Sequence, residues 1–207
     1  MIEINNIQEC IEYLQDIDVV IFDLDDTLAN EIDYVKSGFE AVAKAFPQIS
    51  DCYAKLFSAF TNKERPFDKV LNEAGLFTED NLKLMLDSYR NHKPNTKFVS
   101  GAEECLKVLR AQGKRLGVIT DGRVEAQQAK IDALKLQSFV DKIIITDSLG
   151  IQFRKPNPKA YEMMQEYFNV PYAKMAYIGD NKSKDFIVPE TLGMRAIHVN
   201  NVDGLYR

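Results

Sequence analysis

The chain contains no tryptophan, two histidines and three cysteines among its 207 residues. His92 and His198 lie far in sequence from the densest acidic stretch, so acid–base chemistry built on imidazole is not expected. Cys10, Cys52 and Cys105 are odd in number and widely spaced. They supply neither a disulfide framework nor a zinc site, and they suit a reducing compartment. No apolar run approaches the ~20 residues of a membrane-crossing helix. No basic cluster offers a track for a nucleic-acid backbone, and 26 basic against 31 acidic residues leave a net charge of −5. Nucleic acid and membrane are therefore not expected partners. The first residues include Glu3, Glu9, Glu12 and Asp16, with no basic patch and no long apolar core. A secretory signal is not expected there, and a cytoplasmic location is. Internal repeats and low-complexity segments are also missing.

What is present is an alternation of short apolar runs and helical patterns. Ile7, Ile11 and Leu14 predict a short helix over residues 5–15. Val19 to Phe22 form a β-branched and aromatic run that suits a strand buried on both faces. From residue 31 to 93 the pattern is helical throughout. Val35, Phe39, Val42 and Phe46 make one apolar stripe, and Leu56, Phe57 and Phe60 a second. A third helix starts near Pro66 and stops at Gly75, and a fourth follows Thr78 as its cap. This reads as a small helical bundle inserted into the fold. Beyond Pro94, Ser100 and Glu103 have capping-box spacing for a helix ending at Gly113. Strands are expected at Leu116 to Ile119, Ile143 to Ile145, Met175 to Ile178 and Ala196 to Val199, with helices between them. One helix is expected to take Asn157 as cap and Pro158 as its first residue. Strands alternating with helices predict an α/β fold, a doubly wound parallel sheet, with an all-helical insertion. The expected division is a core of residues 1–30 and 94–207 and a helical cap of residues 31–93.

Asp23, Asp25, Asp26 and Thr27 follow directly on the first buried strand. Carboxylates there are costly unless paired, hydrogen-bonded or bound to metal. In an open parallel sheet that strand end is also where ligands bind. The stretch therefore reads as a divalent-metal site with a carboxylate available for chemistry. Polar residues recur at later strand ends and helix starts: Thr120-Asp121-Gly122, Lys155 ahead of its proline, and Gly179-Asp180 followed by Asp185. Each has a plainer reading alone. Aspartates at strand ends often form turns or caps, an isolated lysine is usually solvated, and Asp185 suits the first turn of a helix. Asp26 is expected to orient its turn, and Arg123 to face either substrate or solvent.

Taken in order, these four blocks resemble the motifs of the haloacid dehalogenase superfamily, whose members carry a Rossmann-like core and, in many cases, a helical cap between the first and second motifs. The resemblance implies a phosphoric monoester hydrolase. Asp23 would be the nucleophile that forms an aspartyl-phosphate and a metal ligand. Asp25, two residues on, would share Asp23's face if the strand continued. It would then act as acid for the leaving alcohol and base for water, its backbone carbonyl reaching the metal. Asp180 would complete the protein ligands of a magnesium ion. Thr120 and Lys155 would bind phosphate oxygens, helped by the backbone of Leu24, Asp121 and Gly122. Thr27 and Asp185 would support these residues, Asp185 by holding Lys155 or a water. The expected substrate is a small phosphorylated metabolite such as a phosphosugar or nucleotide, and the expected state is monomer or homodimer. A phosphomutase, or a binding module that retains the pocket, are the competing readings. A dehalogenase, which needs neither metal nor an acid at Asp25, is disfavoured.

Overall fold

A computed structural model describes residues 1–202, 204 and 205. The chain divides into two compact units, Met1–Glu31 with Thr96–Arg207, and Ile32–Asn95. The first unit is built on a six-stranded sheet: β1 (Ile2–Ile4), β2 (Val19–Phe22), β3 (Arg115–Thr120), β4 (Lys142–Ile145), β5 (Met175–Gly179) and β6 (Arg195–Val199). Their spatial order is β1-β6-β5-β2-β3-β4. Every pairing is parallel.

β2 is central, hydrogen-bonded to β3 on one side and β5 on the other. Successive side chains point to opposite faces. Val20 and Phe22 therefore join one core, with Leu106, Leu109, Leu116 and Val118. Val19 and Ile21 join the other, with Tyr161, Met164 and Phe168. All four β2 residues are fully buried, which is why this strand reads as an unbroken apolar run rather than an alternating one. Leu106 and Leu109 come from α5 (Ala102–Ala111), and Tyr161, Met164 and Phe168 from α7 (Lys159–Phe168). The remaining α-helices among the described residues of this unit are α6 (Val124–Ala133) and α8 (Ile187–Leu192).

The second unit is a bundle of α1 (Glu31–Ala45, its first residue counted with the sheet unit), α2 (Cys52–Thr61), α3 (Pro66–Glu73) and α4 (Glu79–Arg90). Its centre is aromatic: the Phe39 ring meets Phe60, Phe67 and Tyr89. Gly38 makes room for this, since a Cβ there would lie 2.5 Å from the Tyr89 ring. Thr78 caps α4 by accepting from the Asn81 N–H at 3.1 Å.

Three local expectations differ from the fold. The segment before β2 is a 3-10 helix, Ile7–Tyr13, capped by Asn6. It follows a three-residue edge strand, β1, too short to announce itself by pattern. The capping box at Ser100 does not form. Gly101, at φ 81°, turns the chain ahead of α5, and Ser100 sits one residue too early to reach the helix. Pro158 precedes α7 rather than opening it, although Asn157 does cap the chain there as expected, its Oδ1 accepting from the Lys159 N–H at 2.9 Å.

Candidate active site

The C-terminal ends of β2, β3 and β5 converge because these strands are neighbours in the sheet. Asp23 prolongs the β2 ladder by one bond, its N–H donating to the Ile178 carbonyl at 2.8 Å. The chain then leaves the sheet. Leu28 and Ala29 N–H groups both return to the Leu24 carbonyl, and Asp26 takes φ 54°. Asp26 spends its carboxylate on this loop, accepting from the backbone of Glu31 at 2.9 Å and of Leu205 at 2.8 Å. The strand therefore does not continue through Asp25, and its side chain is not placed by strand alternation. The Asp25 carboxylate instead meets α6, with Oδ1 at 2.6 Å from Lys130 Nζ and Oδ2 at 2.9 Å from Gln127 Nε2.

Lys155 is fully buried behind Asp23. Its ammonium lies 2.7 Å from Asp23 Oδ1 and 2.8 Å from Asp185 Oδ1, and donates to the Tyr177 hydroxyl at 2.8 Å. Its backbone N–H donates to Asp121 Oδ1, which also accepts from the Thr146 hydroxyl. Asp185 in turn accepts from the Asn181 N–H at 3.0 Å. Gly179 is required for that approach, since a Cβ there would stand 2.5 Å from Asp185 Oδ2. Asp180 is held from two sides. Thr27 Oγ1 donates to its carboxylate at 3.4 Å, and His198 Nε2 donates to its backbone carbonyl at 2.9 Å.

Oxygen atoms of Asp23, Asp180 and Asp185 lie within 4.8 Å of one another. Burial and crowding leave their charges poorly compensated. Burial pushes Asp23 up to about 6, against the pull of Lys155. Burial, then Asp23 and Asp185, push Asp180 up to about 8. Burial works against the Lys155 charge, but Asp185 and Asp23 outweigh it and hold the ammonium well above its ordinary range. Hard oxygen donors in a site short of positive charge fit a divalent cation. Asp185 joins Asp23 and Asp180 in this side-chain cluster, and the Asp25 carboxylate faces Lys130, which leaves the backbone carbonyl of Asp25 as the group expected to reach a metal.

Asp23 and Asp180 line a cavity of about 290 Å³. Asp25, Asp26 and Glu31 line its acidic side, and Arg154 and Lys184 bring positive charge. Burial, then Asp25, push the Glu31 carboxyl up to about 7. Arg154 is fixed by a two-pronged pair with Asp147, both contacts at 2.6 Å. Thr120 and Lys155 are buried behind this lining, at 1% and 5% exposure. Arg123 is solvent-facing and lies 4.0 Å from Glu125.

Gln127, Lys130, Glu31, Arg154, Lys184 and His198 escape a reading of the sequence, which leaves Lys155 as the one nearby cation. Arg154 and Lys184 immediately precede Lys155 and Asp185, so their positions carried a signal. Gln127 and Lys130 sit three apart just after the Thr120 block, which would place them on one helix face. His198 carried none, because only the β5–β6 pairing brings it to Asp180.

The chain is similar to several known proteins. Residues 20–199 match the family model described as haloacid dehalogenase-like hydrolase. A glyceraldehyde 3-phosphate phosphatase of Pyrococcus abyssi is 30% identical over 196 residues, covering 87% of this chain and 80% of that protein. A pyrophosphatase PpaX of Bacillus cereus is 25% identical over 171 residues, covering 80% and 75%. Among solved structures, a HAD hydrolase, YfnB, from Bacillus subtilis, described as bound to magnesium, superposes with a TM-score of 0.62 at 19% identity, covering 89% of this chain and 87% of that one. That last likeness speaks for the fold.

Proposed function

Because the chain belongs to the haloacid dehalogenase-like hydrolase family and is a phosphoric monoester hydrolase, we propose that it cleaves a small phosphorylated metabolite with Asp23 as nucleophile and magnesium as cofactor. The observation that carries this reading is the cluster at the β2 and β5 ends: Asp23, Asp180 and Asp185 within 4.8 Å, with Asp23 and Asp180 lining the cavity.

Asp23 attacks phosphorus and forms an aspartyl-phosphate as the bond to the ester oxygen breaks. Asp25 gives its proton to that oxygen, then takes one from the water that hydrolyses the acyl phosphate. Thr120 and the backbone N–H groups of Asp121 and Gly122 bind phosphate oxygens, and the buried Lys155 ammonium offsets negative charge behind the nucleophile. Asp23, Asp180 and the Asp25 carbonyl would hold the magnesium ion, with Thr27 and Asp185 supporting them. When bound, the ion neutralises carboxylate and phosphate charge and orients the phosphoryl group.

A cavity of about 290 Å³ suits a short phosphorylated carbohydrate. The Pyrococcus relative's name points to a triose phosphate, and the Bacillus relative's to pyrophosphate. Arg154 and Lys184 are placed to meet the anionic or carbonyl end of such a substrate. The three cysteines are free and buried, which supports the reducing cytoplasm as its compartment.

The test is turnover of para-nitrophenyl phosphate, glyceraldehyde 3-phosphate, other phosphosugars, nucleotides and pyrophosphate, with magnesium and with EDTA. Magnesium-dependent release of phosphate from a triose or sugar phosphate is the expected result. Turnover that persists undiminished in EDTA would overturn the metal, and preference for pyrophosphate would overturn the substrate class.

A further inference from the structure

α6 carries two polar side chains into the interior where its neighbour Ile131 is apolar. Gln127 is 2% and Lys130 3% exposed. A buried lysine and a buried amide are costly unless every polar atom is matched. Both are matched by residues assigned to chemistry. Lys130 Nζ lies 2.6 Å from Asp25 Oδ1. Gln127 Nε2 lies 2.9 Å from Asp25 Oδ2 and 2.5 Å from Thr120 Oγ1.

The amide nitrogen has two hydrogens, and both are used. Thr120 Oγ1 is therefore an acceptor towards Gln127, and its own hydrogen is left for another acceptor. Both oxygens of Asp25 are engaged from one helix face, at positions three apart. One rigid element thus fixes the acid–base carboxylate, and with it the direction in which the threonine hydroxyl donates.

Building on the role given to Asp25 above, we propose that Gln127 and Lys130 are positioning residues of the phosphatase reaction. Lys130 anchors Asp25 through Oδ1. Gln127 holds Oδ2 with a neutral partner, so Oδ2 is the oxygen that exchanges a proton with the leaving group and with water. Gln127 also orients the Thr120 hydroxyl towards the phosphate.

The proposal is tested by single-turnover phosphoryl transfer from two esters. Para-nitrophenolate leaves without a proton, whereas the alkoxide of glycerol phosphate needs one. In Lys130→Met the rate with glycerol phosphate should fall by about tenfold or more. The fall with para-nitrophenyl phosphate should be several-fold smaller, and the magnesium concentration for half-activity should not change. Lys130→Arg should recover most of the loss. Gln127→Leu should show the same substrate bias together with a raised KM, since Thr120 loses its orientation.

An equal loss on both esters would reduce the two residues to a packing role and overturn the proposal. So would wild-type rates in Lys130→Met while Asp25→Asn is slow. If Asp25→Asn itself turned over both esters normally, the role of Asp25 would fall, and this proposal with it.

Discussion

Lys155 Nζ and Asp23 Oδ1 are 2.7 Å apart, although the residues are separated by 132 positions. The contact exists because Asp23 ends β2 and because Tyr177 and Asp185, from β5 and the segment after it, pin the same ammonium. A carboxylate held against a buried cation is kept in place and partly charge-balanced. The same cation is shared with Asp185.

Removing that cation should unfold the site before it alters the chemistry. Lys155→Met would leave Asp23 and Asp185 buried without their partner. Breaking a buried pair from one side costs about 3–5 kcal/mol. Urea denaturation at neutral pH should show a loss of that order, smaller at pH 5, below the value of about 6 to which burial raises Asp23, and partly restored by magnesium.

Asp23→Asn should lower turnover by a factor on the order of 10⁴ or more, the scale of losing a nucleophile. Acid-quenched wild-type enzyme should carry labelled phosphate from its substrate, and the variant should carry none. Circular dichroism should be unchanged, since amide and carboxylate are of nearly equal size.

Asp180→Ala should raise the magnesium concentration needed for half-activity by at least tenfold, or remove activity altogether. Magnesium titrations of initial rate for the variant and the wild type decide this. An unchanged requirement would move the metal away from Asp180.

Stability should depend on pH in a way that magnesium reverses. Asp180 rises from an ordinary 3.8 to about 8 in the folded protein, and Asp23 from 3.8 to about 6. Between the lower and upper values the folded state binds more protons than the unfolded one, so metal-free stability falls as pH rises through this window. The proposed magnesium ion would bind the deprotonated carboxylates, so the melting-temperature gain it gives should grow from pH 5 to pH 8. Melting curves with EDTA and with magnesium across that range provide the check.

Gly179→Ala should damage the site without touching its chemistry. The new Cβ would stand 2.5 Å from Asp185 Oδ2, displacing the carboxylate that holds Lys155 and the Asn181 N–H. Lower activity, together with a lower melting temperature, is expected.

The sequence by itself determined five of the six described strands and the four polar blocks at strand ends and helix starts. β2 is buried on both faces, so its apolar run is unbroken, and Asp23 stands out where the run ends. Thr78 caps α4 because an N-cap is a local hydrogen bond that the chain writes within a few residues. Gly101 shows the limit of such reading. A positive φ moved the helix start away from Ser100, and a backbone turn leaves no mark in side-chain spacing.

Only the tertiary structure decided where Asp25 points. In the sequence, Asp25 would stand beside Asp23 if the strand continued. The chain instead turns at Leu24, and Asp25 meets Lys130 and Gln127 across more than a hundred positions. His198 reaches Asp180 and Lys155 reaches Asp185 for the same kind of reason. Local patterns encode which residues are buried and which are polar. Which buried charges share one cation depends on strand order and on the loops beyond the strand ends, and those are fixed only when the sheet is assembled.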